Sequence, residues 1–254
     1  MILYLIWFFI LGTFFGSFFT VVGYRLPKGE SFIKSRSHCD DCGHELSFLD
    51  MIPIVSYIFL KGKCRYCGCK ISNLSTWMEF FTGILFSLSF FCFGFSTNLF
   101  YALGIVSLLT ILSVSDMSYY IIPDEVLIFF SGYFIIINAI ANGVMGSIIS
   151  ILYGLSLFLF MYLVMIMGNF LFKKESLGGG DIKLMFVVGL VLHPFLGLFV
   201  IFLASVIALP ISLFILWRQN KNLVPFGPFL LIGFMLVFFT GINFDMVINF
   251  IQSI

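Results

Sequence analysis

The sequence predicts an all-α polytopic membrane protein, with about eight transmembrane helices and a small cytoplasmic insert after the first. Three observations predict it. Of 254 residues, 61% are hydrophobic and only 10% charged, whereas soluble domains run about 45–50% apolar and about 25% charged. The mean hydropathy is +1.15. The apolar residues also fall in runs close to the ~20 needed for a helix to cross a bilayer. The lipid bilayer is therefore the expected solvent for most of the chain. The net charge of +1 says nothing about partners; the placement of the charges does, and no nucleic acid is expected as one.

The apolar runs lie near 2–24, 76–95, 99–115, 125–141, 147–171, 182–193, 196–217 and 227–248. The sixth is short and reads as re-entrant or broken. The first has no basic n-region and no small-x-small cleavage site, so a cleaved signal peptide is not expected there. Arg25 and Lys28 follow it, which fits an anchor with its N-terminus outside. With eight spans, all 13 Lys and Arg residues fall on one side. Arg25, Lys28, Lys34, Arg36, Lys61, Lys63, Arg65 and Lys70 lie in the insert; Lys173, Lys174 and Lys183 flank a glycine triplet; Arg218 and Lys221 follow the seventh span. Positive charge accumulates on the cytoplasmic face, so that side is the cytoplasm. The outer linkers 96–98, 142–146 and 194–195 hold no Lys or Arg. The chain thus divides into a first helix (1–24), a cytoplasmic four-cysteine insert (25–75) and a membrane core (76–254).

The insert carries two knuckles, Cys39-x2-Cys42 and Cys64-x2-Cys67, with 21 residues between them. That spacing is zinc-ribbon-like. Zn2+ is borderline soft and takes four thiolates tetrahedrally, and Gly43 and Gly68 allow the chain to turn after each knuckle. Four sulfurs leave no open position for water, so the metal is expected to fold a small insert and to do no chemistry. The bland alternative is four free thiols; disulfides fit a reducing cytoplasm poorly. His38 and His44 border the first knuckle as alternative ligands or plain surface residues. Cys69 and Cys92 have no assigned partner.

Acids at a membrane edge are costly. Asp124 and Glu125 follow Pro123 and open the fourth span, where capping and the helix dipole account for them. Asp181 also opens a span, but a cap does not explain Gly178, Gly179 and Gly180 before it. Asp116 ends the third span, where the dipole repels a carboxylate, so something must offset that cost. Asp116 and Asp181 lie at the same predicted membrane level. Two carboxylates sharing one proton form an acid/base device for peptide hydrolysis. By helix ends alone, Asp116 is the protonated partner and Asp181 the ionised one, although the protons of a coupled pair belong to both. Other chemistries fit less well: His193 is predicted on the outer face, no HExxH occurs, and the glycine run lacks the Lys-Ser/Thr ending of a phosphate loop.

Gly178-Gly179-Gly180-Asp181 with a second membrane Asp resembles the GxGD membrane aspartyl proteases. The rest of the chain narrows the resemblance to bacterial type IV prepilin peptidases (leader peptidase/N-methyltransferase). "GSFFTVVGYRLP" (16–27), the double CxxC insert, "LDMIPIVSY" (49–57), "GKCRYC" (62–67), "DMSYYIIPD" (116–124), "GGGDIKL" and "PFGPFL" (225–230) are similar to that family in order. Thr20 and Asp40 depart from its usual residues. The resemblance implies that Asp116 and Asp181 are the catalytic aspartates, with Asp124 nearby. It implies cleavage of a basic leader from type IV prepilins or pseudopilins, after Gly, at the cytoplasmic face of the cell membrane. In members with four cysteines it also implies methylation of the new N-terminus from S-adenosylmethionine. The resemblance implies substrates that serve pili, competence or protein secretion. Glu30, Glu45, Asp50 and Glu79 are candidates to attract a basic leader, with ordinary surface charge as the alternative. "PFGPFL" either shapes a cleft or forms a bent helix entry. Competing readings are a GxGD protease for other membrane peptides, and a non-enzymatic transporter or scaffold with a zinc ribbon.

Overall fold

The computed structural model describes residues 1–31, 37–39, 41–173, 177–219 and 225–242. Lys34, Arg36, Asp40, Lys174, Lys221 and positions 243–248 of the last predicted span lie outside them. The described residues are overwhelmingly helical and contain no strand, only two isolated bridges, His38 with Glu45 and Lys63 with Lys70. Eight α-helices follow in order among the described residues: α1 (Ile2–Arg25), α2 (Val55–Phe59), α3 (Asn73–Phe93), α4 (Thr97–Tyr119), α5 (Asp124–Phe172), α6 (Gly179–Val191), α7 (Pro194–Gln219) and α8 (Gly227–Thr240). Of these, α1, α3, α4, α5 and α7 are long and apolar enough to cross a membrane, and α8 is a shorter apolar helix. The chain is thus a multi-pass membrane protein by its helices.

It forms two compact units, Met1–Phe95 and Ser96–Ile254. In the first, α1 and α3 pack along their length. A Cβ added at Gly12 would stand 2.8 Å from the Gly83 Cα and from the Phe86 Cβ. Lipid offers helices no hydrophobic drive to associate, so small residues that permit close backbone approach hold such pairs together by dispersion. Phe8 stacks on Phe90 with ring centroids 4.7 Å apart. This glycine seam places α3 with α1, whereas the sequence reading grouped residues 76–95 with the later core. Trp7, Phe14, Phe18, Trp77 and Phe81 remain exposed on the outer faces, as expected for side chains that face lipid.

The second unit is built on α4, buried from Leu99 to Asp116 on nearly every side. It packs against α5 and α8; α6 packs on α5 and α8, and α7 on α8. α5 runs as one element, but Gly143 interrupts it with φ 73° and ψ −179°. That break falls inside the linker predicted at 142–146, where glycine alone tolerates the left-handed φ cheaply. α6 has 13 residues, a rise of ~20 Å, which is short of the ~30 Å hydrocarbon core. Its C-terminal end is buried and satisfied by side chains: Tyr101 Oη donates to Asn138 Oδ1 at 2.8 Å, and Asn138 Nδ2 donates to the Leu190 carbonyl at 2.8 Å. One amide thereby joins α4, α5 and α6 and takes a carbonyl that the helix end leaves unpaired.

Candidate functional site

Asp116 stands in the last turn of α4 and Asp181 in the first turn of α6. They are 6% and 9% exposed, and their carboxyl groups interact electrostatically. Two acids from distant segments of sequence therefore share one buried locus within the second unit. The sequence left open what offsets the cost of Asp116 at a helix C-terminus. The structure supplies an N–H: Gly227, the first residue of α8, donates to Asp116 Oδ2 at 3.1 Å. The first N–H groups of a helix have no partner within it and carry partial positive charge. Each acid thus lies at a helix N-terminus, Asp181 at that of α6 and Asp116 at that of α8. Helix ends alone no longer tell the two acids apart.

The glycines have steric reasons. A Cβ on Gly227 would sit 2.8 Å from Asp116 Oδ2 and 3.2 Å from Ile122 Cδ1. A Cβ on Gly180 would meet the Ile122 Cβ at 2.7 Å, whereas one on Gly179 would meet nothing within 4 Å. Ile122, in the turn between α4 and α5, is therefore wedged against a glycine from α6 and another from α8. Gly178 precedes α6 with extended backbone, and its added Cβ would lie 3.2 Å from Asp181 Oδ2. "PFGPFL" is both a helix entry, with Pro228 in the first turn of α8, and a wall of the acid site. Ile122 and Gly227 were not singled out in the sequence. Each is legible only as part of its quoted motif, because contacts between separate helices carry no local signal.

Asp124 stands in the first turn of α5, where the helix dipole favours an acid, but Pro123 holds the cap position and no side chain caps the helix. Its side chain reaches elsewhere: Lys183 Nζ contacts both of its oxygens at 2.7 and 2.8 Å. The pair is about half exposed, so it contributes at most ~1 kcal/mol. It ties the start of α5 to α6 two residues beyond Asp181. His193, excluded above as a base, accepts the Phe195 N–H at 3.3 Å at the start of α7.

In the first unit, the Sγ atoms of Cys39, Cys64, Cys67 and Cys69 lie within 4.8 Å of one another. Cys39 is 3.8 Å from Cys67 and 3.4 Å from Cys69. Four sulfurs at ~2.3 Å from one tetrahedral Zn2+ stand about 3.8 Å apart, so the cluster has the dimensions and donor chemistry for a single soft ion. The backbone N–H groups of Cys42 and Asp41 draw the Cys39 thiol down to about 6, toward the thiolate form that binds metal. Cys42, expected from the spacing as a ligand, is exposed and lies outside this group of four. Cys69 is the thiol that sequence spacing missed. Its signal was Cys64-x2-Cys67-x-Cys69, one cysteine more than two plain knuckles require.

Asp50 and Glu79, both considered for a basic leader, are already engaged. Asp50 accepts from Ser47 Oγ at 2.6 Å and pairs with Arg65 Nε at 2.7 Å; the Ser47 hydroxyl holds its carboxyl below the usual range. Glu79 is buried in α3 and accepts the Ile54 N–H at 2.8 Å.

Comparison with known proteins agrees with this layout. Residues 10–93 match the Bacterial Peptidase A24 N-terminal domain, and residues 103–213 match the Type IV leader peptidase family. The prepilin leader peptidase/N-methyltransferase of Bacillus subtilis is 36% identical over 72% of this chain and 72% of its own length. That of Vibrio cholerae is 33% identical over 93% of this chain and 97% of its own. That of Myxococcus xanthus is 32% identical over 74% of this chain, which spans 56% of that longer relative. No solved structure matches. With both matches in chain order and relatives of this identity spanned over most of their length, the chain belongs to the type IV prepilin leader peptidase family of enzymes.

Proposed function

We propose that this chain removes the basic leader from type IV prepilins or pseudopilins, cutting after Gly at the cytoplasmic face of the cell membrane. The carrying observation is the pair Asp116 and Asp181, two buried acids whose surroundings meet at Ile122, which packs against Gly227 beside Asp116 and against Gly180 beside Asp181. One carboxylate takes a proton from water as the water attacks the scissile carbonyl. The other, protonated, donates a hydrogen bond to that carbonyl oxygen and then gives its proton to the leaving amine. The Gly227 N–H orients the Asp116 carboxylate. Gly178 and Gly179 leave space for an extended strand beside Asp181.

A prepilin joins a charged leader to an apolar helix, so its scissile bond lies at the membrane boundary. Eight spans with the N-terminus outside would place both acids there on the cytoplasmic side, together with the 25–75 insert and the peptidase core within 76–254. The cysteine cluster would hold structural zinc that folds the insert. Methylation of the new N-terminus is proposed from the names of the relatives. S-adenosylmethionine would supply the methyl group, and no described residue is assigned to it.

Mass spectrometry of a co-expressed prepilin tests both activities. The expected product lacks its leader up to the Gly and is heavier by one methyl group. An uncut precursor would refute the peptidase assignment, and a cut but unmethylated product would refute only the second activity.

A further inference from the structure

The two knuckles have the same build. In each, the glycine after the second cysteine has positive φ, 68° at Gly43 and 72° at Gly68. Its N–H donates to the carbonyl of the first cysteine, Gly43 to Cys39 at 2.8 Å and Gly68 to Cys64 at 3.0 Å. The N–H of the first cysteine donates to the carbonyl of the residue after the glycine, Cys39 to His44 at 3.0 Å and Cys64 to Cys69 at 2.8 Å. His44 and Cys69 therefore occupy equivalent places, and both residue types can bind metal. They behave differently. The His44 ring lies against Tyr66, with centroids 3.6 Å apart. Cys69 joins the sulfurs, 3.4 Å from Cys39 and 3.1 Å from Cys67. Cys42, the second cysteine of the first knuckle, is exposed and holds the place in its knuckle that Cys67 holds in the other. Four sulfurs are thus gathered with Cys69 among them, and Cys42 stands as a fifth thiol beside space for one ion that takes four ligands.

We propose that Cys39, Cys64 and Cys67 are fixed metal ligands and that Cys69 and Cys42 exchange at the fourth position. The proposal rests on the reading that the cluster holds zinc. In the exchange one Zn–S bond forms as another breaks. The entering thiol gives up its proton and the departing thiolate takes one, so the charge at the metal is unchanged. Oxidation or alkylation of the more exposed Cys42 then leaves the metal in place, because Cys69 is already within sulfur contact of the other ligands.

The test uses the full chain purified in detergent, with zinc per chain measured by elemental analysis and Co2+ substitution read from thiolate-to-cobalt charge transfer. Cys42→Ser and Cys69→Ser should each keep about one metal and a four-sulfur cobalt spectrum. Cys42→Ser/Cys69→Ser should show a three-sulfur spectrum. It should also lose zinc to a chromophoric chelator with affinity reduced at least the ~10-fold typical of losing a mere outer-sphere partner. Metal loss in one single variant with none in the other would overturn the exchange, and a double variant with four-sulfur character would do the same. These outcomes leave the zinc reading standing. A wild-type protein that binds neither metal would overturn both. If the double variant does not fold, the two single variants decide.

Discussion

Gly227 hands its backbone N–H to the carboxylate of Asp116 at 3.1 Å, across 111 positions of sequence. The start of α8 and the end of α4 are joined through this contact, and every functional expectation for the second unit turns on it or on the neighbouring Asp181.

Asp116→Asn and Asp181→Asn should each remove cleavage. General acid–base groups typically contribute about 10²–10⁴ in rate, and each variant should fall by at least that much. Both should still insert and elute as monodisperse protein, because Asn preserves shape. Initial rates on a prepilin in detergent, set beside size-exclusion profiles, check this; near-wild-type turnover in one variant would remove that acid from the reaction.

The glycines separate by sterics. Gly227→Ala would press a methyl group against Asp116 Oδ2, and Gly180→Ala would press one against Ile122. A displacement of ~1 Å at a reacting group costs about 10²-fold, so cleavage in both should drop on that order. Gly179→Ala meets open space and should stay within a few-fold of wild type. Equal loss in all three would mean that backbone freedom, and not side-chain crowding, governs the triplet.

Asn138→Ala should lower stability. It leaves the Tyr101 hydroxyl and the Leu190 carbonyl without their partner. An unsatisfied buried polar group costs about 1–3 kcal/mol, with membrane examples nearer the lower value. Tyr101→Phe, which removes one bond and leaves the Asn138–Leu190 contact, should cost less. Thermal denaturation in detergent would rank the two.

Chelation should act on the insert. Removing metal, or replacing Cys39 by Ser, should open residues 37–70 to protease while the helices retain their circular dichroism. Acidification should do the same, since protons compete with metal for thiolates. Limited proteolysis read by mass spectrometry locates the cuts; protection unchanged by chelator would argue against a metal-folded insert.

Much of the architecture was readable because solvent chemistry writes it plainly. A carboxylate in an apolar run is conspicuous, and Asp116 and Asp181 stand at helix ends as the runs implied. Gly143, inside a stretch of polar and small residues, breaks α5 where a linker was drawn. Contacts between segments were less legible. Asp124 looked like a cap, yet its oxygens take Lys183, a residue counted before only as a topological charge. Cys69 looked unpartnered because spacing rules read cysteines in pairs, and only the hairpin bond from Cys64 turns it toward the other sulfurs. The asymmetry inferred for the two acids used one helix apiece, while the structure brings a third helix to Asp116.

The amide of Asn138 also works as a ruler. It pins the far end of α6 at Leu190, and Asp181 stands nine residues up the same rod, about 14 Å away at the helical rise. The height of that acid is therefore metered from a fixed stop deep in the helix bundle. A single residue inserted between the two would lift Asp181 by ~1.5 Å and swing it by ~100°, carrying it away from Asp116 with no change in its chemistry.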